Sequence, residues 1–207
     1  MSPDQEPTPR GTDPGTPAAD RPLRAHARRN REKLIAAARA AFTAADDGAP
    51  LEGIAREAGV GIGTLYRHFP TREALVEAVY AAELEAVTAD ATALLDELPP
   101  ERALRAWMER YAGFVATKRA MVNTLHSGWA SGRITAPATR ERITAAIGSL
   151  LAAGARTGAL REDVEADDVT AMLLGVFLST AAEDDPARTG RLLDLVVDAL
   201  RPPVPSP

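Results

Sequence analysis

The stretch from Leu51 to Leu75, LEGIAREAGVGIGTLYRHFPTREAL, limits what this chain can fold into more than any other. Ile54, Ala55 and Ala58 fall on one helical face. Gly59 follows at once, where a helix end favours a residue that tolerates positive φ. Val60 is apolar inside the turn and is expected to be buried. Leu65 and Phe69, four apart, give a second short helix its inward face, and small Ala55 allows the two helices to approach closely. Pro70 ends that helix, because the residue before a proline is pushed out of the α region. Thr71 then caps a third helix opening with Arg72 and Glu73.

Two short helices joined by a tight turn containing Gly have the form of a helix-turn-helix. Ile62, Gly63, Thr64, Tyr66, Arg67 and His68 are left facing outward, and no carboxylate occurs from Val60 through Arg72. Hydroxyls, an imidazole and a guanidinium on one face suit a helix laid in a major groove. An ordinary helical hairpin with a solvated polar face fits the same periodicity.

The residues IAREAGVGIGTLYRHF closely resemble the DNA-binding segment of TetR-family transcriptional regulators. That segment typically reads Ile-Ala-x-x-Ala-Gly-Val-Ser-x-Gly-Thr-Leu-Tyr-x-His-Phe, followed by a short turn and a basic residue opening the next helix. There are three departures. Gly61 stands where a Ser or Thr usually caps the recognition helix, and Gly is a weaker but acceptable cap. Pro50 replaces the usual cap of the preceding helix, and proline suits a first turn. Arg72 replaces the usual Lys and keeps its charge.

Composition agrees with a helical fold. The chain is 45% apolar but only 4% aromatic, and the formal net charge is −5. There is no Cys, so no disulfide framework or thiolate site is available. The three His (His26, His68, His126) lie far apart, so no metal or other cofactor is expected. The net charge argues against nucleic acid until its distribution is considered. From Arg21 to Arg39 the bases are Arg21, Arg24, Arg28, Arg29, Arg31, Lys33 and Arg39, against the single acid Glu32. Acids gather in Asp96–Glu97, Glu162–Asp168 and Glu183–Asp185. A basic end and an acidic remainder fit a protein that touches DNA at one end. No apolar run is long enough to span a membrane and no secretory signal pattern is present, so a cytoplasmic location is expected.

Along the chain, residues 1–22 read as a disordered tail, rich in Pro, Gly, Thr and Asp. A helix is expected from about Leu23 to Ala45, with Leu34, Ile35, Ala38, Ala41 and Phe42 as its apolar stripe. A long helix from about Thr71 to Leu98 presents Leu75, Val79, Ala82 and Ala86. Further helices are expected over about 101–118, 119–129 and 137–157, then one entered from the turn TGALREDVEADD and running to about 183, and a last one over 187–201, with a tail from 202 to 207. The fold class is all-α with about nine helices. By resemblance, residues 23–70 form the helix-turn-helix unit and 71–201 the ligand-binding and dimerisation unit.

The resemblance implies a homodimer formed through the last two helices, acting on a double-stranded DNA operator. Thr64, Tyr66 and His68 would contact phosphates, and Ile62, Gly63 and Arg67 would meet base edges. Arg28, Arg29 and Arg72 are placed to reach phosphate, although an arginine cluster is commonly a solvated face. The resemblance also implies an effector pocket among the bulky side chains of the central helices: Trp107, Met108, Tyr111, Phe114, Met121, Leu125, His126, Trp129 and Phe177. Such a stripe also serves as plain core. The expected activity is transcriptional repression relieved by a small apolar or aromatic molecule. An activator or ligand-independent regulator shares this fold. An enzyme using His126 with carboxylates would need a catalytic spacing that the sequence does not contain.

Overall fold

A computed structural model describes residues 20–45, 48–132, 138–181 and 185–203. Among these, nine helices and no strand occur, in agreement with the all-α expectation. They are α1 (Asp20–Ala45), α2 (Leu51–Glu57), α3 (Ile62–His68), α4 (Arg72–Glu97), α5 (Pro100–Ala120), α6 (Val122–Ala130), α7 (Thr139–Thr157), α8 (Ala166–Ser179) and α9 (Pro186–Leu200).

Helix α1 starts at Asp20, three residues before the expected Leu23. Pro22 therefore sits in the first helical turn, where its missing N–H leaves nothing unsatisfied. The rest of the expected N-terminal tail, 1–19, lies outside the described residues, as do 204–207.

Helix α4 joins the two ends of the molecule, packing against α1, α5, α6 and α7. The stripe read from the sequence is only half right. Leu75 and Val79 are buried, but Ala82 is partly covered and Ala86 is exposed. The face that stays buried to the far end is an adjacent one, carrying Val76, Tyr80, Leu84, Val87, Ala91 and Leu94. Alanine is too small and too common here to mark the inward side, so periodicity alone misplaced it. Arg39 of α1 pairs with Glu83 of α4 at 3.1 Å, fixing the two helices on that flank.

Two helix ends close in the same way. Gly59 has φ +67°, with Val60 N–H donating to Ala55 O at 3.0 Å. Gly158 has φ +68°, with Ala159 N–H donating to Gly154 O at 3.0 Å. Both are six-to-one closures that use a left-handed residue to satisfy the last carbonyls. Val60, expected to be buried, is only partly so.

Helices α5 and α6 divide at Met121, later than the expected 118/119 boundary, and this side chain is fully buried. Helix α8 ends at Ser179 rather than near 183. Thr180 turns its hydroxyl back to Val176 O at 3.0 Å. Helix α9 packs on α5 and α8, as α8 does on α7.

Candidate functional site

Helices α2 and α3 are each only seven residues long. Helices this short are not stable in isolation, so packing must hold them. Leu65 and Phe69 supply that anchor at 0% and 2% exposure, against a core that includes Leu34, Phe42, Ile54 and Ala55. Neither helix has a side-chain N-cap, as Pro50 and Gly61 foretell. Backbone bonds substitute: Thr64 N–H and Leu65 N–H both donate to Gly61 O, at 2.8 and 3.2 Å. At the start of α4 the expected cap is present, Thr71 Oγ1 accepting from Ala74 N–H at 3.2 Å.

Burying Leu65 and Phe69 turns the remaining side chains of α3 outward. Ile62 is 37% exposed and Tyr66 46%, notable values for large apolar or aromatic groups. Gly63 and Arg67 are exposed, while Thr64 and His68 are partly covered. Arg67 Nε donates to Gly63 O at 3.2 Å, folding the guanidinium along its own helix. Arg28 and Arg29 are exposed on α1, Arg28 lying 3.6 Å from Glu32.

Arg72 differs from the others. Its guanidinium donates to Ala49 O and lies over the Phe42 ring, 5.7 Å from the centroid. It therefore ties α4 to α1 and to the loop before α2. Arg31 makes a related contact over Phe69 at 5.3 Å, which the sequence reading did not single out. Both cations sit on aromatic faces at the seams of the helix-turn-helix.

A partly open cavity of about 550 Å³ lies in the remainder of the molecule, among α4 to α8. Four of the expected pocket residues line it: Tyr111, Phe114, Trp129 and Phe177. The other five do not. Met108, Met121 and Leu125 are fully buried core. Trp107 is also core, its indole N–H donating to Val87 O at 2.7 Å. His126 is exposed, its ring 5.8 Å from that of Trp129.

The cavity's polar groups were missed by sequence reasoning. Tyr80, Lys118, Arg119, Thr139, Arg140, Glu141 and Thr170 all line it. One signal was available: Tyr111, Phe114, Val115 and Lys118 follow the i, i+3, i+4, i+7 spacing of a single helical face. Tyr80 and Thr139 share a hydroxyl hydrogen bond at 2.7 Å. Lys118 Nζ lies 5.9 Å from the ring centroids of both Tyr80 and Trp129. Burial pushes its pKa down. Burial likewise drives the Tyr111 hydroxyl up to about 12, with nearby Tyr80 adding to the effect.

Residues 34–79 match the family model described as bacterial regulatory proteins, tetR family. Residues 99–202 match the model described as transcriptional regulator SbtR-like, C-terminal domain. A solved TetR transcriptional regulator from Streptomyces coelicolor is 44% identical, with 84% of this chain and 99% of that chain covered and a TM-score of 0.79.

This chain belongs to the TetR family.

A TetR transcription regulatory protein from Mycobacterium vanbaalenii is 34% identical, covering 87% of this chain and 99% of that one, with a TM-score of 0.70. A gamma-butyrolactone receptor described as ArpA-like shares the fold at 22% identity, over 86% of this chain and 90% of that one, TM-score 0.59. No curated protein matches the chain. The TetR assignment makes the protein a DNA-binding transcriptional regulator, with α2 and α3 as its helix-turn-helix. No helix among the described residues is long and apolar enough to cross a membrane.

Proposed function

We propose that this TetR-family regulator is a homodimeric repressor, released from a near-palindromic operator when a small apolar or aromatic molecule fills the cavity. One observation carries the reading. Helix α4 holds Tyr80 in the cavity wall and Arg72 at the seam with the helix-turn-helix. Eight residues of α-helix separate them, about 12 Å along one stiff rod. A ligand pressing on Tyr80 moves the element that seats α3. For release to follow, the ligand must bind the DNA-incompetent arrangement better than the competent one.

In this scheme residues 23–70 form the DNA-binding unit and 71–201 the effector and dimer unit. Ile62, Gly63 and Arg67 approach base edges. Thr64, Tyr66 and His68 contact phosphates, joined by Arg28 and Arg29 from α1. Arg72 joins the framework, given its hold on Ala49 and Phe42. Two copies of α3 enter major grooves about one helical turn, roughly 34–36 Å, apart.

The dimer reading rests on where bulky apolar groups remain exposed. Among the described residues these are Ile62 and Tyr66 on α3, and Met172, Leu178 and Leu195 on α8 and α9 at 44%, 74% and 62%. The second set suits a two-fold interface formed by the last two helices.

The test is binding to the DNA flanking the protein's own gene across a range of salt concentrations. The expected result is tight binding that weakens steeply with salt, because phosphate contacts release counterions. Tyr66→Ala should weaken binding to the operator and to random DNA alike, because a phosphate contact is lost. Met172→Glu with Leu195→Glu should yield a monomer by sedimentation, with weakened operator binding. Selection from random duplexes that recovers no preferred sequence would refute the operator reading.

A further inference from the structure

The cavity's walls are mostly apolar, and Lys118 stands among them. Its ammonium lies against the faces of Tyr80 and Trp129. Among the described residues it forms no ion pair, although eleven other cation–carboxylate pairs occur there. A half-buried cation with no carboxylate beside it loses part of its hydration and gains from an anion.

A second donor lies in the same wall. Trp129 Nε1–H is buried and, among the described residues, has no hydrogen-bond acceptor, whereas the other tryptophan, Trp107, is satisfied by Val87 O. A buried N–H without a partner calls for an explanation, and an acceptor carried by a ligand is one.

The remaining charges at the rim lean the same way. Arg140 is neutralised by Asp167, both oxygens of which accept from it at 2.7 and 2.8 Å. Arg119 donates to the carbonyls of Phe177 and Ala181, at 3.2 and 3.1 Å, and so keeps its charge. Glu141 is the carboxylate that lines the cavity, and it is exposed. Half-buried Lys118 and exposed Arg119 thus outnumber exposed Glu141 around the cavity.

We propose that the effector is a small organic acid: an apolar or aromatic body lodged among Tyr111, Phe114 and Phe177, with a carboxylate held by Lys118 Nζ and an oxygen accepting from Trp129 Nε1–H. This rests on the cavity being the effector site. The apolar body supplies the area that drives entry, and the charged pair supplies selectivity.

The test uses matched probes: phenylacetate, 4-phenylbutyrate and decanoate, the methyl ester of each, and a neutral lactone of similar size. Binding is followed by tryptophan fluorescence, and operator release by DNA-binding assay, on the full chain. The acids should bind about ten-fold or more tightly than their esters, the scale of a charge-assisted bond. Lys118→Met should erase that preference while leaving ester binding in place, and Lys118→Arg should retain it. Trp129→Phe should weaken the acids several-fold without unfolding the protein. Esters or the lactone binding as well as the acids, and releasing DNA, would overturn the acid assignment and leave the effector site standing. Preference for acids that survives in Lys118→Met would overturn the role of Lys118. No response to either series at millimolar concentration would overturn both the acid assignment and the effector reading.

Discussion

The two ends of the molecule put their polar groups to use in opposite ways. In the helix-turn-helix, the polar groups lie close together on one seven-residue helix, turned outward over a packed base of Leu65 and Phe69. In the body, they come from five helices and face inward around a cavity. At one end the partner is large and meets a convex surface, so nothing has to be left empty inside. At the other, under the proposed function, the partner is small and enclosed, and packing is given up locally around the cavity. The cavity wall also contains a half-buried cation and an indole N–H that is unsatisfied among the described residues, features a protein core otherwise avoids.

The sharpest break of this comparison is within α3. Leu65→Ala should destabilise the protein by about 2–5 kcal/mol, the usual range for emptying a fully buried leucine site. Its neighbour, Tyr66→Ala, should change stability by under about 1 kcal/mol, as substitutions at exposed sites generally do. Both should lose operator binding, the first because α3 is unseated and the second because a contact is gone. Chemical denaturation beside DNA titration separates the two causes.

The two tryptophans provide the next contrast. Trp107→Phe removes a buried hydrogen bond to Val87 O and leaves a gap, for a loss of about 1–3 kcal/mol. Trp129→Phe removes an N–H that has no acceptor among the described residues, so it should be near neutral or slightly stabilising without ligand. Equal losses in thermal unfolding would mean that the cavity wall is ordinary core.

At the junction of the two regions, Thr71→Ala removes the α4 cap, for about 1 kcal/mol. If α4 transmits the effector signal, this variant should also alter the effector concentration needed for release. A change in stability alone would confine Thr71 to the helix end.

The smallest expected effects are in pH dependence. Tyr111 titrates at about 12 in the folded protein, against an ordinary 10.0. The folded state then keeps a proton that the unfolded chain loses, so stability contributed below pH 10 falls as pH climbs toward 12. Tyr111→Phe should flatten that alkaline limb. Lys118 has the opposite sign. Its folded value is lowered, so the unfolded chain binds more protons on the way up to 10.5 and stability rises with pH. Lys118→Met should therefore be more stable than the parent at neutral pH in thermal unfolding.

How much of this was legible in the sequence differs between the regions for the same reason. Gly59, Leu65, Phe69, Pro70 and Thr71 act on neighbours within a few residues, so their roles follow from spacing. The outward set from Ile62 to His68 then follows by elimination. The cavity could not be read so. Trp107 and Tyr111 share one helix and a stacked contact at 5.2 Å, yet only Tyr111 lines the cavity. Bulk and periodicity cannot distinguish them, because both face inward. Tyr80, Thr139 and Thr170 are separated by 59 and 31 residues, and only the packing of α4, α7 and α8 brings them to one wall.

The sequence by itself therefore determined the all-α class, the helix-turn-helix, its exposed polar face and its basic approach, because these depend on short-range periodicity, caps and charge order. Only the tertiary structure decided that Arg72 turns inward to Ala49 and Phe42, that α8 and α9 leave Met172, Leu178 and Leu195 uncovered, and that Lys118 and Trp129 share one cavity wall. Each of those outcomes depends on which distant helix happens to lie opposite, and no local rule of the chain encodes that.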